Sequence, residues 1–153
     1  MKLIRTSIGK IPLGYGCILG LVVLLSNIFF KIYKDFELTF YLSSQILINI
    51  LIISFGIYAF KKSNQGYLSL SQALKIGFSI SIIAGIIILL SDIFLADFIS
   101  DAINTTKKEK EAKWLSRLYY AILVFISNLL LALLISLLSG AIMQKNKEVY
   151  DEE

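Results

Sequence analysis

The sequence predicts an all-α membrane protein, an antiparallel bundle of four transmembrane helices, and three observations carry that reading. Four apolar stretches, at about 11–30, 38–60, 73–95 and 118–143, are each long enough to cross a bilayer, and their cores hold no Lys, Arg, Asp or Glu. A helix rises about 1.5 Å per residue, so roughly 20 residues cover a hydrocarbon core of about 30 Å. The chain is 57% hydrophobic with a mean hydropathy of +0.77, which sets it apart from soluble domains. The connecting segments are too short to fold independently, so residues 1–153 are read as one four-helix transmembrane domain.

The first span follows Lys2, Arg5 and Lys10, an arrangement that resembles a signal peptide. A cleaved signal has an apolar region of about 7–15 residues and a small-x-small site. Here the run is about 20 residues and ends Asn27-Ile28-Phe29-Phe30-Lys31, so it is expected to remain as a span. The segment Lys31-Ile32-Tyr33-Lys34-Asp35-Phe36-Glu37 is a short turn that joins antiparallel neighbours. The second span ends at Lys61-Lys62, and Ser63-Asn64-Gln65-Gly66 breaks the pattern before the third. After the third span the sequence predicts its one sizeable loop, about 96–117. Thr106-Lys107-Lys108-Glu109 has the capping-box pattern there, with Lys107–Glu111 and Glu109–Lys113 paired at i,i+4. A charged helix is therefore expected from near Thr106 into the fourth span, and the tail from Lys145 to Glu153 is expected to fray.

Four spans bring both ends of the chain to one side. The ends and the 2–3 loop hold seven cations (eight with Lys75), and the other side also holds seven, so the positive-inside rule discriminates weakly. Three cations and no acid next to the first span favour cytoplasmic termini. Tyr33, Phe36, Phe40, Tyr41, Phe94, Phe98, Trp114, Tyr119 and Tyr120 cluster at one end of the spans. Tyr15, Tyr58, Phe60 and Tyr67 mark the other. Amphipathic rings prefer the headgroup layer, so these are read as belts that set depth.

In lipid, helices associate through small residues and interhelical hydrogen bonds, because burial from apolar tails gains nothing. Helix 1 offers Gly16 and Gly20 at G-x-x-x-G spacing, with Asn27 further along. Helix 2 offers Gln45, Asn49 and Gly56. Helix 3 carries the longest ladder, Ala73, Gly77, Ser81 and Gly85, followed by Asp92. Helix 4 repeats the device with Asn128, Ala132, Ser136 and Gly140. The third helix is expected at the centre, its ladder admitting two neighbours. Asn49 and Asn128 lie at about the same depth, roughly 15 Å from one end. As antiparallel neighbours they are expected to share a hydrogen bond.

The stretch Gly66-Tyr67-Leu68-Ser69-Leu70-Ser71-Gln72-Ala73-Leu74-Lys75-Ile76-Gly77-Phe78 resembles the hallmark of the domain-of-unknown-function 4199 family. Members of that family, mostly from Bacteroidota, carry a glycine, an aromatic and a Ser-containing run, then Gln-Ala-x-Lys-x-Gly-Phe entering the third span. Leu13-Gly14-Tyr15-Gly16 and Gly20 in the first span look similar too. The segment between the third and fourth spans departs from the pattern in being more charged and helical. The resemblance implies a small protein of the bacterial inner membrane and transfers no catalytic residue. Physically, Lys75 can snorkel to the headgroups, Gln72 can satisfy free backbone groups at the helix start, and Gly77 admits a neighbour.

Without His, the chain lacks haem axial His, His-based zinc sites and His general bases. The single Cys, Cys17, is read as a small buried residue and not as a lipidation or redox site. Asp92, Asp97 and Asp101 are the acids that cluster at the end of a span, and positions 92 and 97 diverge by about 140° on a helix, which argues against a shared metal. No catalytic residue, metal or cofactor is expected. The leading reading is a non-enzymatic structural, assembly or accessory component of the membrane. The alternative is a subunit of a small transporter or channel, weakened because residues 11–30 lack an intramembrane acid. Expected partners are the lipid bilayer and a membrane protein or a second copy, with no sign of nucleic acid. Asp92, Lys107, Lys108, Lys110, Lys113, Trp114 and Arg117 are the candidates for polar or lipid contact.

Overall fold

A computed structural model of the chain describes residues 10–32, 37–102 and 107–144. Four helices fill it in order: α1 (Lys10–Ile32), α2 (Leu38–Ser63), α3 (Leu70–Ala102) and α4 (Lys107–Met143). Each contains a stretch long and apolar enough to cross a membrane: Lys10–Phe30, Thr39–Ser63, Leu70–Ser91 and Leu118–Met143. The chain is thus a multi-pass membrane protein built as an all-α bundle.

The third and fourth helices are longer than their spans. At about 1.5 Å per residue, the 33 residues of α3 reach about 50 Å and the 37 of α4 about 55 Å. Of the segment expected as a loop at 96–117, residues 96–102 instead belong to α3, whereas 107–117 belong to α4, which starts where the charged helix was expected. α4 starts eleven residues before its apolar span, in a stretch rich in the helix-favouring residues Glu, Lys and Ala.

The helices pack as a ring in which α1 neighbours α2 and α3, and α4 neighbours α2 and α3. α2 and α3 also touch across the diagonal, whereas α1 and α4 do not meet among the described residues. Alternation of direction makes α2 and α4 parallel neighbours, not the antiparallel pair that the expected Asn49–Asn128 bond assumed.

α3 is the buried helix of the four, with 44% of its most apolar stretch enclosed against 22% in each of the others. Ala73, Ile76, Ile80, Ala84 and Ile88 pack with Leu19 and Val23 of α1, Ile53 and Ile57 of α2, and Ala132 and Ile135 of α4. Large apolar residues elsewhere on α1, α2 and α4, such as Leu25, Phe55 and Leu134, face outward, where lipid tails solvate them.

The entry to α3 is fixed locally. α2 ends with Gln65 at φ 56° and Gly66 at φ 83°, and the Gly66 N–H donates to the Lys61 carbonyl at 2.9 Å. That 6→1 bond, closed by a left-handed residue, is a Schellman-type stop. The Ser69 N–H then donates to Gln72 Oε1 at 3.0 Å, and the Gln72 N–H to Ser69 Oγ at 3.2 Å. This reciprocal capping box satisfies two groups that the first turn leaves free.

Candidate functional site

The small-residue ladders of α3 and α4 mesh in antiparallel register. A Cβ placed on Gly140 would come within 2.7 Å of Ala73 Cβ, and one placed on Gly77 would collide with Ser136 Oγ. Between these and the next contact, Ser81 Oγ donates to the Asn128 carbonyl at 3.3 Å, and Ala132 is fully buried. Gly85 lies under the Phe125 ring. The α3 ladder therefore admits α4 closely, and at Gly77 it also comes close to α2 through Ile53. The close approach of α1 to α3 is made from the α1 side. That helix brings its own glycines, Gly16 against Ile83 and Ile80, and Gly20 against Ile87.

At the end where the chain passes from α2 to α3, the bundle is closed. Ser54 Oγ of α2 and Ser139 Oγ of α4 lie 2.9 Å apart there. Towards the opposite end α2 and α4 part, and a cleft of about 450 Å³ opens between them. Its apolar walls are Leu42 and Ile46 of α2, Leu123, Val124 and Leu131 of α4, and Val23 and Ile88 behind. Its polar lining is Asn27, Tyr41, Gln45 and Asn49 on one side and Tyr120, Ser127 and Asn128 on the other.

These polar groups descend from the interface to the middle of the bilayer. Tyr41, Gln45 and Asn49 follow each other at one-turn spacing down α2. Asn49 lies ten residues past Thr39 and Asn128 ten past Leu118, which puts both about 15 Å into spans of 25 and 26 residues. The upper part is a clasp between α1 and α2. Tyr41 Oη donates to Asn27 Oδ1 at 2.9 Å, and Gln45 Nε2 donates to the same oxygen at 3.1 Å and to Ser26 Oγ at 3.2 Å.

The floor is not closed in the same way. Asn49 Nδ2 donates to the Gln45 carbonyl of its own helix at 2.9 Å, so the expected bond to Asn128 is not made. Among the described residues, neither Asn49 Oδ1 nor the Asn128 carboxamide has a hydrogen-bond partner, although Asn49 is only 4% exposed. No fully enclosed side-chain polar atom among those residues is left unpaired, so the free Asn49 oxygen is not fully enclosed, and Asn49 lines the cleft. Asn49 and Asn128 also line a seam too narrow for water, together with Leu19, Ser81, Ala84 and Gly85.

The other expected contact residues fall outside this picture. Asp92 lies in α3, and Lys107, Lys108, Lys110, Lys113, Trp114 and Arg117 lie in the first turns of α4, with their side chains outside the described residues. Cys17 is a free, half-buried thiol on α1. Ser26, Ser54, Phe125 and Ser139 were not singled out from the sequence. The stripe Tyr41-x-x-x-Gln45-x-x-x-Asn49 was visible as a signal, because three polar groups at one-turn spacing in a span mark one face.

No curated protein and no solved structure matches the chain. The sequence profile of the family described as "Protein of unknown function (DUF4199)" matches residues 14–145. That range takes in all four spans but for the outermost residues of the first, and the chain belongs to the DUF4199 family.

Proposed function

We propose that the protein is a non-enzymatic component of a bilayer, a structural, assembly or accessory subunit that works by binding inside the membrane. One observation carries this reading. The polar groups that line the α2–α4 cleft are carboxamides and hydroxyls, without a titratable acid or base beside them among the described residues. Such groups form strong hydrogen bonds in a low dielectric but neither take up nor release protons near neutral pH. They suit recognition better than bond-breaking, which needs an activated nucleophile, a general base or a metal. Solubilisation in mild detergent followed by affinity capture tests the role. A stoichiometric membrane-protein partner supports the accessory reading, and a symmetric dimer with no partner turns it towards transport.

The transport alternative has one feature in its favour. The cleft reaches the bilayer midplane from one side and is sealed beyond it by the α3–α4 ladder. Half-open access of that kind is what a small carrier needs in one of its two states.

We also propose that the protein lies in a bacterial inner membrane with both termini cytoplasmic. Lys2, Arg5 and Lys10 before α1 support that orientation. Alkaline phosphatase fused after Lys62 should be inactive and after Thr105 active; activity from the Lys62 fusion alone reverses the orientation. On this orientation the basic start of α4 stands in the periplasm, where Lys107, Lys108, Lys110, Lys113 and Arg117 support attraction to anionic headgroups or an acidic partner.

A further inference from the structure

Resting on the binding reading above, we infer that the α2–α4 cleft is a site for an uncharged lipid headgroup of the glycerol-ester kind. The head lies along the polar groups while its tail stays in the bilayer. The first argument is the floor. Asn49 Oδ1 and the Asn128 carboxamide have no partner among the described residues, and they sit near the bilayer midplane. A carboxamide facing hydrocarbon is strongly disfavoured, so this pair calls for a molecule that both donates and accepts hydrogen bonds. An ester carbonyl with neighbouring hydroxyls does both.

The second argument is the lining. Half of it is aliphatic, and no charged side chain is among its described residues. A concave hollow that joins aliphatic walls to placed polar groups is the usual form of a small-molecule site. About 450 Å³ accommodates a headgroup and some methylenes, not a whole two-chain lipid. A charged head would shed its hydration here with no counter-charge in the described lining.

The third argument is access. Leu42, Ile46 and Leu123 line the cleft and are also 45–50% exposed, so its lips lie at the lipid-facing surface. A tail can leave sideways between α2 and α4 while the head remains inside.

The test uses the full chain in phosphatidylcholine nanodiscs doped with 1-monooleoylglycerol or with 1-oleoyl-lysophosphatidic acid. These two probes differ only by a phosphate. Native mass spectrometry should show a saturable one-to-one adduct with monooleoylglycerol, favoured at least tenfold over its phosphorylated partner. Val124→Trp, which fills the cleft, should abolish it. Asn128→Leu, which removes an unpaired amide without adding bulk, should weaken it at least threefold and keeps the test decisive if the Trp variant does not fold. Adducts that do not saturate, that ignore the phosphate, or that survive both variants overturn the site. So does a dimer whose formation excludes the lipid, or a cleft that exchanges only water. The recovered lipid separates this inference from the reading beneath it. A bound lipid returned as oleate and glycerol keeps the site and overturns the non-enzymatic role. A partner captured at full stoichiometry with no adduct overturns the site alone.

Discussion

At the end of the bundle where α2 passes to α3, Ala73 faces Gly140 and Gly77 faces Ser136, so the α3 and α4 backbones approach until no larger side chain fits. At the other end, Tyr41, Gln45 and Asn49 on α2 face Tyr120, Ser127 and Asn128 on α4 across open space. One half of the molecule spends its small residues on contact, and the other places its polar residues around a hollow. In lipid this difference matters more than in water. Apolar surface is equally well solvated in either arrangement, so the closed half must be held by packing and hydrogen bonds alone. The open half leaves amides without partners at a depth where that is unfavourable. The first half reads as the part that folds the protein, and the second as the part kept for a ligand at some cost in stability.

The sharpest way to break this division is to overfill the closed half. Gly77→Leu drives a side chain into Ser136 and Ile53 where no open volume exists. It should destabilise the bundle by about 3 kcal/mol, the upper end of ordinary overpacking, as read from unfolding in mixed micelles. Gly14→Leu is the control, since nothing lies within 4 Å of a Cβ placed there, and it should stay within about 0.5 kcal/mol. If the two cost the same, packing at the α3–α4 seam is not what holds the fold. Gly77→Ala with Ser136→Gly sharpens the point, because removing Ser136 Cβ and Oγ should restore part of what Gly77→Ala loses.

The open half should respond with the opposite sign. Asn128→Leu replaces an amide that has no partner among the described residues with a side chain that hydrocarbon accepts. In the empty protein it should stabilise by about 1 kcal/mol, the scale on which an unsatisfied polar group penalises its host. A loss of stability instead would show that Asn128 is part of the fold and not of a site. Because Asn49 donates within its own helix, a cycle of Asn49→Leu with Asn128→Leu should show less coupling than the roughly 0.6 kcal/mol of an average interhelical bond.

Much of the closed half was legible in the sequence, and little of the open half was. The four spans follow from length and composition, and the ladders on α3 and α4 from four-residue spacing of small side chains. Spacing names a face, however, and not the neighbour that occupies it. The sequence alone did not say that Ala73 meets Gly140 and Gly77 meets Ser136, or that α1 is admitted by its own Gly16 and Gly20. Those matches depend on the order of helices around the ring, which short loops leave undetermined. The same gap misled the pairing of Asn49 with Asn128. The expected bond assumed antiparallel neighbours, but the two helices run parallel, and Asn49 donates within its own helix instead. A cleft is a difference between neighbours, so no single helix announces it. The length of α3 was hidden by its polar C-terminal turns, where Asp97 and Asp101 end the apolar pattern but not the helix.

The smallest expected effect asks whether the closed half is held by its hydrogen bonds or by its shape. Ser54 and Ser139 are joined at 2.9 Å, the one side-chain hydrogen bond between α2 and α4 among the described residues. Ser54→Ala keeps the small volume and removes one hydroxyl. Ser139 is buried, at 8% exposure, but its remaining hydroxyl can turn to the carbonyl of Ile135 one turn back, as serines in helices commonly do. Its loss is thereby softened. Each single change to Ala should cost about 0.6 kcal/mol, typical of interhelical bonds in bilayers. The double change should cost scarcely more than either, because the first already removes the shared bond. If the double variant instead loses as much as Gly77→Leu, the hydroxyl pair is the latch of the closed end and the small residues only permit it.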